Sequence, residues 1–74
     1  MAAGLPTVCV VGSGSWGTAF AGLMASQVAE VRLWCRSAEV ASAVNATRRN
    51  PRHLTGYELP RNVIATSDPD AALC

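Results

Sequence analysis

Residues 12 to 19 run Gly12-Ser13-Gly14-Ser15-Trp16-Gly17-Thr18-Ala19, and the apolar run Val8-Cys9-Val10-Val11 stands directly before them. A strand that empties into glycines at this spacing constrains the fold more than any other feature of the chain, because each glycine meets a different steric demand. Gly12 lets the chain leave the strand in a tight turn. Gly14 removes the side chain that would hold the backbone away from a phosphate, and Gly17 lets the next helix press against the strand. The first N–H groups of that helix are unpaired and carry partial positive charge, which suits an anion. The pattern predicts a loop that holds the pyrophosphate of a dinucleotide. The alternative, a strand-to-helix turn with glycines for packing only, is disfavoured by the apolar strand before the loop and the well-timed strand after it. A Walker-type loop is excluded, since no Lys-Ser or Lys-Thr follows the glycines.

Thr7 to Val11 is the β-branched apolar run expected of a strand buried on both faces in a parallel sheet. Ser15 to about Val28 reads as a helix. Trp16, Phe20, Leu23, Met24 and Val28, with Gly17, Ala21 and Ala25 between them, make it apolar almost all round, so burial in a larger assembly is expected. Glu30 to Arg36 reads as a second strand. Ser37 is placed to cap a second helix, with Glu39 favourable in its first turn and Val40 and Val44 one turn apart. Arg48 to Pro60 is a loop punctuated by Asn50-Pro51, Gly56 and Pro60. Val63 to Thr66 is a short third strand, after which Ser67 or Asp68 opens a helix with Pro69 in its first turn. The order β-α-β-α-loop-β-(α) defines an α/β fold, part of a Rossmann (doubly wound parallel) sheet.

A full fold of that kind needs several βαβ units of about 30 residues each. The chain has 74 residues. Residues 1–74 are therefore expected to form the N-terminal part of a dinucleotide-binding domain, the rest of which lies outside this chain. Six arginines against five acids leave a formal net charge of +1, so no basic surface for nucleic acid or anionic membrane is indicated. Cys9, Cys35 and Cys74 stand singly, without the spacing of a zinc or redox motif. Their odd count, with two inside apolar runs, fits buried thiols in a reducing compartment. The start of the chain, Met1-Ala2-Ala3-Gly4-Leu5-Pro6, lacks the basic and apolar regions of a signal peptide, and no apolar run has the length of a membrane span. A cytoplasmic protein is expected.

The end of the second strand, about 20 residues past the glycine loop, is where a dinucleotide fold reads the adenosine ribose. An acid there favours NAD, whereas an arginine accommodates the 2′-phosphate of NADP. This chain has Trp34-Cys35-Arg36-Ser37 and no acid. The planar fork of Arg36 matches a phosphate, and the Ser37 hydroxyl can add a bond, so NADP is favoured over NAD against the reading of Arg36 as a solvated strand-end residue. Arg48-Arg49-Asn50-Pro51-Arg52-His53 is a basic cluster with a stacking side chain. It either borders the adenine or its phosphate or is simply a solvated loop, and composition favours the latter. Trp16 either walls the cofactor or belongs to the core.

Taken together, Gly12 to Ala19, Leu33-Trp34-Cys35-Arg36, and Asn45-Ala46-Thr47-Arg48-Arg49-Asn50-Pro51-Arg52-His53-Leu54 with Gly56, Leu59 and Pro60 resemble the opening of the bacterial NAD(P)-dependent glycerol-3-phosphate dehydrogenases. Asn62 to Asp68 is similar to that family's third strand and its exit. The resemblance runs from Thr7 onward, and the Gly-Ser-Trp-Gly-Thr-Ala element is far more particular than a bare glycine fingerprint. It implies a cytosolic enzyme interconverting dihydroxyacetone phosphate and sn-glycerol 3-phosphate by hydride transfer, for glycerophospholipid synthesis. It also implies cofactor contacts at Ser15 and Trp16 beside those of Gly12, Ser13, Gly14 and Gly17. Arg36 would meet the 2′-phosphate, and His53 would border the cofactor. The chain departs from the family at His53, where Tyr or Phe is more common, and at Thr55, where Pro is. Histidine retains the capacity to stack.

The family's catalytic lysine has no counterpart here, since the chain contains no lysine. Neither a catalytic residue nor a metal ligand is therefore assigned, and the segment by itself is expected to grip a cofactor without turning over substrate. Two other readings stay open: a non-catalytic NAD(P)-sensing module, and a dehydrogenase for another hydroxy acid or phosphate ester. The assembly is not determined by these residues, a homodimer being one compatible with them.

Overall fold

The computed structural model describes residues 6–73; Met1 to Leu5 and Cys74, and what was read from them above, lie outside the described residues. Six elements follow one another as β1 (Thr7–Val11), α1 (Ser15–Ala25), β2 (Glu30–Trp34), α2 (Ala38–Thr47), β3 (Val63–Thr66) and α3 (Pro69–Leu73). The strands form one parallel sheet in the order β1-β2-β3. Each crossover carries a helix, as parallel neighbours require. This is the α/β alternation expected, realised as a partial doubly wound sheet.

Side chains alternate across the central strand. Val31 and Leu33 are fully buried, and they stand in register with Val8 and Val10 on one side and Val63 and Ala65 on the other. Against that face pack Ala21 and Ala25 of α1 and Val40, Ala41 and Val44 of α2, closing a single core with Leu59 from the loop. Arg32 points to the opposite face, where its Nη1 donates to the Ala71 carbonyl at 3.2 Å and where α3 begins a second layer. The helix of Ser37 is capped as expected, its hydroxyl accepting from the Val40 N–H at 3.4 Å. At α3 Asp68, not Ser67, is the cap: its Oδ1 accepts from the Asp70 N–H at 3.0 Å, with Pro69 as the first helical residue.

Three expectations are corrected. The strand β1 is not buried on both faces among the described residues: Val8 and Val10 face the core, while Thr7 and Val11 on the other face are exposed, Val11 at 69%, because the helix on that side, α3, packs on β2 and β3. The helix α1 stops at Ala25 rather than near Val28; among the described residues its buried face is the small-residue stripe Thr18, Ala21, Gly22 and Ala25, while Trp16 and Leu23 face outward. Its end is held by Asn62, whose Nδ2 donates to the Ala25 carbonyl at 2.7 Å. Finally, β2 ends at Trp34, so Arg36 lies beyond the strand, in the turn that leads to α2.

The other sheet edge is partly closed by a side chain. Asn45 donates to the Ala65 carbonyl at 2.8 Å and accepts from the Ala65 N–H at 2.9 Å, standing where a further strand would pair with β3.

Candidate cofactor site

The register brings the carboxyl ends of β1 and β2 level, with Val11 opposite Trp34. The Gly12 N–H continues the ladder to the Trp34 carbonyl at 3.0 Å, and the chain then turns away with Gly12 at φ +110°. That backbone angle is strained for any residue with a Cβ. Gly14, the N-cap of α1, has ordinary extended dihedrals, and a Cβ built there meets nothing within 4 Å. Its glycine is thus not needed by the protein's own packing, and the space it leaves open faces outward. At Gly17 the reverse holds: a Cβ would overlap the Gly12 carbonyl oxygen. The three glycines therefore serve the turn, the open approach and the close helix contact respectively. No side chain caps the start of α1, so its leading N–H groups keep their capacity to bind an anion.

A cleft of about 300 Å³ opens over these strand ends, lined by Gly12, Ser13, Gly14, Trp34, Arg36, Ser37, Val40, Arg52 and His53. Its wall contains two arginines and no carboxylate. Among the described residues the guanidinium groups of Arg36 and Arg52 take part in no ion pair, whereas Arg32 pairs with Glu30 at 2.7 Å and Arg49 with Glu58 at 3.8 Å. Trp34 is held in place by its indole N–H, which donates to the Ser67 carbonyl at 3.1 Å. Beneath the glycine loop, burial pushes the Cys35 thiol above its ordinary pKa, against the smaller opposing effect of its hydrogen bond with Ser13.

Of the residues singled out in the sequence, Gly12, Ser13, Gly14, Arg36 and His53 meet in this cleft. Ser15 stands at its margin, with its Oγ 3.4 Å from His53 Nδ1. Gly17 supports the loop from behind. Trp16 does not line the cleft and is not core either: it is 77% exposed and stacks on Phe20, with ring centroids 5.1 Å apart. The basic loop divides by residue, for Arg52 and His53 face the cleft while Arg48 turns inward to the carbonyls of Pro60 and Val63. Asn50, read above only as turn punctuation, is fully buried and bonded to the glycine loop. Its one sequence signal is an asparagine before proline in a stretch of charged residues.

Strand ends, glycine turn, uncapped helix start and basic cleft together define the opening half of a Rossmann fold, with its ligand site beyond the carboxyl ends of the strands. Residues 7–74 match the family described as NAD-dependent glycerol-3-phosphate dehydrogenase N-terminus, and the chain belongs to that family. A glycerol-3-phosphate dehydrogenase [NAD(P)+] of Streptomyces avermitilis is 56% identical over 63 residues, covering 85% of this chain and 19% of the relative. A second such enzyme, of Mycobacterium tuberculosis, is 51% identical over 67 residues, covering 90% of this chain and 20% of its own length. The crystal structure of glycerol-3-phosphate dehydrogenase from Coxiella burnetii superposes with a TM-score of 0.81 at 34% identity, over 90% of this chain and 21% of that one. The Plasmodium falciparum glycerol-3-phosphate dehydrogenase gives a TM-score of 0.84 at 28% identity, over 96% and 22%. The chain thus spans about a fifth of the length of the relatives it matches. Among the described residues no helix is long and apolar enough to cross a membrane, and no group of three His, Cys, Asp or Glu residues is gathered to hold a metal.

Proposed function

We propose that this chain is the cofactor-gripping segment of a glycerol-3-phosphate dehydrogenase, which interconverts dihydroxyacetone phosphate and sn-glycerol 3-phosphate by hydride transfer. The observation that carries the reading is the cleft itself: a glycine turn and an uncapped helix start at one wall, and two unpaired arginines at the other. A dinucleotide needs both, one for its pyrophosphate and one for its adenosine end. The bound nicotinamide supplies or accepts the hydride.

The residues of this chain do the holding. Gly12, Ser13 and Gly14 bring backbone to the pyrophosphate, with the leading N–H groups of α1, at Ser15, Trp16 and Gly17, directed to the same anion. Arg36, Ser37 and Arg52 offer donors to a 2′-phosphate, which favours NADP over NAD, and no acid lines the described cleft to take up a free 2′-hydroxyl. His53 borders the adenosine. An acid to protonate the forming alkoxide, and donors for the substrate phosphate, must come from residues outside this segment, consistent with the absence of lysine from it. Service in glycerophospholipid synthesis, a cytoplasmic location and a homodimeric assembly belong to the same proposal.

The test is the oxidation of NADPH and of NADH by the full-length protein in the presence of dihydroxyacetone phosphate. Turnover with a lower KM for NADPH is expected. Binding of NADPH without turnover would favour a sensing module instead, and turnover only with another carbonyl substrate would favour a different dehydrogenase.

A further inference from the structure

Asn50 is fully buried, although every residue from Pro51 to Glu58 after it is exposed. Its carboxamide is engaged at both ends. The Nδ2 group donates to the Ser13 carbonyl at 2.7 Å and to Thr18 Oγ1 at 3.0 Å. The Oδ1 atom accepts from the backbone N–H of Arg52 at 2.9 Å and from that of His53 at 3.2 Å. Thr18, itself fully buried, donates its hydroxyl to the same Ser13 carbonyl at 3.1 Å. A single side chain thus joins the backbone of the glycine loop to that of Arg52 and His53, which wall the cleft across from it.

A buried amide is costly unless all its donors and acceptors are met, and here all four bonds run to parts of the cleft or to the helix beneath it. We propose that Asn50, seconded by the Thr18 hydroxyl, is a positioning residue that sets the gap between the glycine loop and Arg52-His53, and so the affinity for the adenosine half of the cofactor. The inference rests on the reading of the cleft as an NADP(H) site. Asn50 itself touches no reacting atom. It acts through the backbone of Ser13 on one side and of the adjacent Arg52 and His53 on the other, two segments that no regular secondary structure joins.

The experiment measures binding of adenosine 2′,5′-bisphosphate and of NADPH to the full-length protein by calorimetry, with kcat at saturating NADPH. Asn50→Ala is expected to weaken the bisphosphate by about tenfold or more while kcat at saturation moves by less than about twofold. Thr18→Val keeps the shape but loses the hydroxyl and is expected to weaken binding in the same direction, whereas Thr18→Ser retains it and restores affinity. The Asn50→Ala and Thr18→Val effects should be non-additive, as for residues in one network. A purely structural role would lower the melting temperature and leave the affinity of the folded protein unchanged. Wild-type affinity in Asn50→Ala, or equal affinities in Thr18→Val and Thr18→Ser, overturns the assignment. Should Asn50→Ala not fold, the Thr18 pair decides alone. A wild-type protein that binds neither ligand overturns the cofactor reading instead.

Discussion

At Gly17 any side chain would meet the Gly12 carbonyl oxygen, while at Gly14 it would meet nothing of the protein. The two substitutions should therefore separate. Gly17→Ala forces the backbone of the loop to move and should cost about 1–3 kcal/mol of stability in thermal or urea unfolding. Gly14→Ala should leave the melting temperature nearly unchanged, since a Cβ there meets nothing, and on the proposed cofactor reading it should raise the Kd for NADPH by blocking the approach of the phosphates. Arg36→Asp should raise the KM for NADPH by about tenfold or more, the worth of a charge-assisted pair, and change that for NADH far less. Equal effects on the two cofactors would show that Arg36 does not read the 2′-phosphate. Cys35 carries a pH dependence of its own. Its thiol pKa is raised in the folded state by burial, so its contribution is fully present below the ordinary thiol pKa and is lost as pH rises toward the folded value. Melting temperature should fall over that alkaline interval, and Cys35→Val should flatten the fall.

Among the elements, helix caps and the alternation of strands and helices along the chain were legible because they depend on neighbours in sequence. Ser37 caps α2 and Pro69 opens α3 as local chemistry requires. The strand β2 was overrun by two residues, because Cys35 and Arg36 continue its apolar-polar alternation and nothing local marks the point where the sheet ends. The loop from Arg48 onward was legible as a loop and illegible as a wall. It is fastened over α1 at two small residues one turn apart: Thr18 receives Asn50, and Gly22 lies under Tyr57, whose ring a Cβ there would strike. Gly22→Ala should therefore raise loop mobility, seen as faster amide exchange between Leu54 and Leu59. Asn45 is a comparable case at the sheet edge. Asn45→Ala removes both bonds to Ala65 and should destabilise by about 1–3 kcal/mol in chemical unfolding.

For the whole molecule, the described sheet has an open edge at β1, an edge at β3 closed only at Ala65, and apolar residues that nothing in the described residues covers. Val11, Trp16, Leu23 and Ile64 are all exposed, at 69%, 77%, 67% and 43%. Residues 1–74 produced alone should accordingly bind a hydrophobic dye such as ANS and turn over no dihydroxyacetone phosphate; a dye-silent, active segment would contradict the proposed division of labour. The sequence by itself determined the α/β alternation and the glycine loop, because periodicity, turn chemistry and helix caps act over a few residues, and its particular motifs carried the resemblance to the family. Only the tertiary structure decided that Trp16 faces outward, that Arg52 and His53 share a cleft with Arg36, and that Asn50 joins them to Ser13. Those outcomes depend on which distant backbone groups arrive beside each side chain, and hydrogen bonds across 30 or more residues leave no local pattern to read.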